Sequence, residues 1–149
     1  MALHSDFRDL LAAFASEGVR YLIVGGYAVA DHSRPRSTKD LGLWVTDDAS
    51  IVDRVAVALA RFGAPAHLVQ AFREAGPDDI VFLGVPPVRI DILRRVDGLA
   101  FEDAYQRRVE VSWDGVPASL VGREDLIVNK RASGRPQDLR DVKALEKTR

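Results

Sequence analysis

The segment Tyr21–Val45, YLIVGGYAVADHSRPRSTKDLGLWV, constrains the fold more than any other stretch of the chain. Tyr21–Val24 is a short aromatic and β-branched run, the pattern of a buried strand. Gly25-Gly26 breaks it, Tyr27–Asp31 starts a helix, and Ser33-Arg34-Pro35 closes that helix. Leu41–Val45 is a second strand, headed by Asp40. Two glycines at a strand end leave backbone N–H groups bare, and a carboxylate follows at the mouth of the next strand. That layout suits a phosphate cradle facing a metal-binding carboxylate.

The rest of the chain supplies a sheet and its helices. Leu3, Phe7, Leu10, Leu11 and Phe14 recur at helical spacing, ended by Gly18. Asp47-Asp48 can cap a helix that buries Ile51, Val52, Val55, Leu59 and Phe62 and stops at Gly63. Leu68–Ala75 is a further short helix, and Phe101–Tyr105 one helical turn. Ile80–Val85 and Val88–Leu93 flank Pro86-Pro87 and read as a hairpin. Val109–Trp113 and Val116–Leu120 flank Asp114-Gly115, a strong hairpin signal. Glu124–Arg131 and Gln137–Lys147 are helical, the latter with Leu139, Val142 and Leu145 inward, joined by a turn at Gly134-Arg135-Pro136. The pattern predicts an α+β fold with a small mixed β-sheet flanked by helices and a C-terminal helical pair. Residues 1–149 fit a single domain, its helical C-terminal part at about 122–149.

Composition excludes several classes. No apolar run approaches the ~18 residues of a membrane span, and Asp6, Arg8 and Asp9 interrupt any leader-like opening, so a cytoplasmic location is the expectation. The chain has no cysteine, hence no disulfide and no thiolate metal site. A net charge of −1 gives no global field for nucleic acid. The basic residues are uneven, however: Arg34, Arg36 and Lys39 share one turn, and Arg123, Lys130, Arg131, Arg135, Arg140 and Lys143 populate the C-terminal part. His4, His32 and His67 show no ligand spacing, and Trp44 and Trp113 read as core.

The candidates for chemistry are therefore few. Gly25-Gly26 can hold phosphate or simply make a tight turn. Asp40 can cap a turn or ligate an ion. Asp91 alternates with Ile90 and Ile92, so it sits on the non-core face of its strand or faces a cleft. If the strands of Asp40 and Asp91 are neighbours, the two carboxylates can share a metal.

Taken together these residues resemble the nucleotidyltransferase fold of the DNA polymerase β superfamily. There a Gly-Gly or Gly-Ser step precedes an Asp-x-Asp pair, and a third carboxylate lies on a later strand. The finer resemblance is to AbiE-type nucleotidyltransferase toxins. It rests on Val24–Gly26 with Ala28, on Arg36–Asp40, on Asp125–Lys130 with Asn129, and on Gly134-Arg135 with Asp138 and Asp141. The resemblance implies Mg²⁺-dependent transfer of a nucleoside monophosphate from an NTP to an acceptor, with pyrophosphate released. In that scheme two metals clamp the attacking and leaving oxygens. Asp40 and Asp91 are the implied metal ligands and catalytic carboxylates, and Gly25, Gly26, Arg36, Lys39 and Lys130 the implied phosphate contacts. Asp138 and Asp141 orient basic side chains. The implied partners are an NTP, an RNA acceptor such as the tRNA acceptor end, and a cognate antitoxin.

One position departs from the pattern. Asp40-Leu41-Gly42 stands where Asp-x-Asp is expected, so the two-metal site would be complete only with a carboxylate restored at position 42. Gly42 marks either a natural pseudoenzyme that still binds nucleotide or a partner, or an inactivating replacement; the survival of every other motif favours the replacement. Acceptors other than RNA are a protein or a small antibiotic. The short stretch after the last hairpin, residues 122–149, weighs against the antibiotic, since such enzymes usually carry a longer acceptor domain.

Overall fold

Alternation along the strands decides which side of the sheet each helix covers. A computed structural model describes residues 3–33, 40–46, 48–85 and 88–147. The basic-turn residues Arg34, Arg36 and Lys39, together with Asp47 and Pro86-Pro87, lie outside the described residues. Strands β1 (Tyr21–Val24), β2 (Asp40–Val45), β3 (Val81–Leu83), β4 (Arg89–Leu93), β5 (Val109–Trp113) and β6 (Val116–Leu120) form one mixed sheet in the order β3-β4-β2-β1-β6-β5. The two expected hairpins are both present, β3 with β4 and β5 with β6. Asp114 and Gly115 turn the second with φ of 54° and 80°, the paired positive angles of a tight hairpin turn. The central pairs are longer-range: β1 runs antiparallel to β2 and parallel to β6, and β2 runs parallel to β4.

One face of the sheet carries Tyr21, Ile23, Leu41, Leu43, Ile90 and Ile92. Against it pack α1 (Ser5–Ser16), α3 (Ala49–Phe62) and α4 (Ala66–Glu74), through Phe7, Leu10, Phe14, Val55, Leu59 and Phe72. The other face carries Leu22, Val24 and Trp44. It is covered by α2 (Gly26–His32), α5 (Phe101–Gln106), α6 (Arg123–Ser133) and α7 (Pro136–Lys147). Each fully buried Leu or Ile contributes about 1.5–3 kcal/mol. This layer reaches β2 through Trp44 and β4 through Leu93, and beside it Gly42 and Asp91 line a cleft.

One inward position differs from the sequence expectation. Leu139 is 47% exposed, whereas Asp138, Asp141, Val142 and Leu145 form the buried stripe of α7. That stripe keeps the helical i, i+3, i+4, i+7 spacing but begins on a carboxylate, so a search for apolar residues alone places it one residue late. No helix among the described residues is long and apolar enough to cross a membrane.

Candidate functional site

Strand ends and one helix pair converge on an open cleft of about 910 Å³. Gly25 and Gly26 enter it from the end of β1, Asp40 and Gly42 from β2, Asp91 from β4, and Lys130 from α6. The site residues named from sequence therefore share one cavity, apart from Arg36 and Lys39, which lie outside the described residues.

Gly25 is there for its backbone. Its φ of 77° and ψ of −150° belong to a region open to glycine alone, while nothing lies within 4 Å of where a Cβ would stand. Space is available; only the dihedral demands glycine. Gly25→Ala is accordingly expected to lose about 1–3 kcal/mol of stability, read as a lower thermal midpoint with the core packing unaltered.

The carboxylates meet because β2 and β4 are parallel neighbours, with Asp40 opposite Arg89 and Gly42 opposite Asp91. Period 2 then puts Asp40, Gly42, Arg89 and Asp91 on one face. Between the two carboxylates lies a guanidinium. Arg89 Nε donates to Asp91 Oδ1 at 2.8 Å, and Nη2 donates to Asp91 Oδ2 at 3.1 Å and to Asp40 Oδ2 at 2.8 Å. The Phe82 ring, on β3, backs the same guanidinium with its centroid 4.7 Å away. Burial lifts the Asp91 carboxyl above its ordinary value; the Arg89 hydrogen bonds oppose that rise and the charge of Asp40 adds to it. Sequence reading missed Arg89 as a site residue, although the Arg89-Ile90-Asp91 alternation already put the two on one face.

A second cluster closes the cleft on the helical side. Lys130 Nζ lies 3.3 Å from Asp138 Oδ1 and 3.1 Å from Asp141 Oδ2, all three residues buried. Arg135 donates to Asp138 Oδ2 through both its backbone N–H, at 3.2 Å, and its Nε, at 2.8 Å. Burial alone would raise the Asp138 carboxyl, but the hydrogen bonds from Arg135 and Lys130 overcome it and hold the group below the usual carboxylate range. As the sequence suggested, these aspartates orient basic side chains. Lys130 borders the cleft with its charge already shared between two carboxylates.

The described residues do not fit a divalent-cation pair. They contain no cluster of three metal-ligating side chains. Arg89 engages three of the four oxygens of Asp40 and Asp91; the fourth, Asp40 Oδ1, is buried with no hydrogen-bond partner among the described residues. One spare oxygen is far from the six that Mg²⁺ requires, even when waters complete the shell. Position 42, where a carboxylate would face Asp91 across the strand pair, is held by glycine.

Comparison with protein-family models and with curated proteins finds no match. Solved structures do match. The lincosamide antibiotic adenylyltransferase LnuA, in its lincomycin-bound form, aligns over 97% of both chains with a TM-score of 0.58 and 13% identity. ANT(2″)-Ia in complex with adenylyl-2″-tobramycin aligns over 95% of this chain and 86% of its own, at TM-score 0.61 and 16% identity. The chain has the nucleotidyltransferase fold. An antigenic nucleotidyltransferase-like protein from Paracoccidioides brasiliensis matches this fold too, over 93% of this chain and 73% of its own, at TM-score 0.56 and 17% identity. At these identities the likeness is one of fold.

Proposed function

We propose that the chain binds a nucleoside triphosphate in the cleft between the β2–β4 edge and the α6–α7 pair, and that its transfer step is disabled by Gly42. The reaction of the parent form is transfer of a nucleoside monophosphate from NTP to an acceptor, with pyrophosphate released. The observation carrying this reading is the convergence of Gly25, Gly26, Asp40, Asp91 and Lys130 on one cavity, with Gly42 between the carboxylates. The fold supports it, and the sequence resemblance to AbiE-type toxins extends it to an RNA acceptor, such as the tRNA acceptor end, and to a cognate antitoxin. Titration calorimetry with each of the four NTPs tests it. Saturable binding of at least one NTP without turnover is the expected result, and failure of all four to bind would reject the reading.

A small-molecule acceptor is the second reading, favoured by the end-to-end match to an antibiotic adenylyltransferase. Incubating the Gly42→Asp chain with α-labelled NTP and, separately, RNA, protein and antibiotic acceptors decides between the two by where the label goes.

A further inference from the structure

Arg89 has one feature that a purely structural ion pair does not need. Its guanidinium spends Nε and Nη2 on the Asp40 and Asp91 carboxylates, whereas Nη1 makes no hydrogen bond among the described residues. The side chain is 31% exposed and borders the cleft. A guanidinium is a planar fork, so an edge not used by carboxylates still offers donors to an anionic oxygen. The Phe82 ring lies against that fork and limits its swing. Apart from Arg89, carboxylates outnumber cations along the described cleft lining, five to three, so an approaching phosphate needs a cation that screens Asp40 and Asp91.

We propose that Arg89 is a tethered cation standing in the place of a divalent ion: it screens Asp40 and Asp91 with one edge and presents Nη1 to a phosphate oxygen of the bound ligand. The ligand class is a nucleoside di- or triphosphate, and the phosphate part of the assignment rests on the nucleotide reading above. Two consequences separate this chain from a metal-loaded transferase. The apo cleft takes up no free divalent cation, and nucleotide binds without one.

Manganese binding by electron paramagnetic resonance and NTP calorimetry, in EDTA and in Mg²⁺, test both consequences on the full chain and on Arg89→Met. The wild-type chain is expected to leave the free Mn²⁺ signal unchanged and to bind NTP in EDTA within about threefold of its affinity in Mg²⁺. Arg89→Met is expected to bind Mn²⁺ and to lose about tenfold or more of its affinity in EDTA, the scale of one charge-assisted hydrogen bond. Arg89→Lys keeps the charge without the fork and should fall between, with a circular dichroism melt showing that each variant folds. Mn²⁺ binding by the wild-type chain as tight as by Arg89→Met, or NTP binding abolished by EDTA, would overturn the proposal. If no NTP binds under any condition while the Mn²⁺ results are as expected, the nucleotide reading and the phosphate contact fall together, and the tethered cation stands.

Discussion

Gly42→Asp is expected to raise label transfer from an α-labelled NTP by at least about 100-fold, and to make that transfer dependent on Mg²⁺ or Mn²⁺. The size follows from metal-site chemistry, where loss of even an outer-shell partner costs about 10–100-fold and position 42 is a direct ligand in the Asp-x-Asp pattern. Geometry supports the direction. Position 42 lies on the cleft face, opposite Asp91 and two residues from Asp40. A third carboxylate would leave Arg89 unable to satisfy the group, and the balance would shift from a guanidinium to a divalent cation. The substitution has a structural cost. A Cβ on Gly42 would stand 3.2 Å from Val24 Cγ2 and 3.3 Å from Val24 O, so β1 must yield by a few tenths of an ångström. Overpacking of this kind costs about 1–3 kcal/mol, and the gain of activity should therefore arrive with a lower thermal midpoint. A variant that folds, binds Mn²⁺ and NTP, and still transfers nothing to RNA, protein or small acceptors would remove the transferase ancestry from the proposal.

The fold was legible wherever structure is local. Asp114-Gly115 predicts its hairpin because only a tight turn wants two positive φ angles, and the Gly25 break follows from a dihedral that only glycine adopts. The cleft was legible in part, since Asp40 heads an apolar run and Asp91 alternates with Ile90 and Ile92 on the non-core face of its strand. What the sequence hides is register. Nothing in the local pattern places Asp40 opposite Arg89, because β2 and β4 are joined by two helices and a strand, and their parallel pairing emerges only when the sheet assembles. Arg89 thus looks like one more surface arginine until its partners are known. The role of Asp138 and Asp141 beside basic side chains was legible, but their inward placement was not: they occupy positions where an amphipathic pattern calls for apolar residues, and the buried Lys130 on the neighbouring helix explains them.

That buried cluster sets the largest stability effect expected outside the hydrophobic core. Asp138 is 1% exposed and receives Lys130 Nζ together with the Arg135 backbone and side chain. Deleting it leaves a buried ammonium with Asp141 as its remaining carboxylate, and removing one partner of a buried pair costs about 3–5 kcal/mol. For a chain of this size that corresponds to a thermal midpoint lower by about 6–20 °C. Asp138→Asn preserves shape and part of the hydrogen bonding, so its loss should be smaller. The pH dependence distinguishes charge from shape. Because Asp138 in the folded chain titrates below its unfolded value of about 3.9, its contribution is fully present above that value and is lost as pH falls through the lower, folded one. Wild-type stability should then drop across the acid limb below about pH 4, while Asp138→Asn, already lacking the charge, should show a shallower drop. Parallel acid limbs in urea unfolding series of the two chains would mean that the carboxylate is held by shape alone, and that Lys130 is free to leave it for a ligand phosphate.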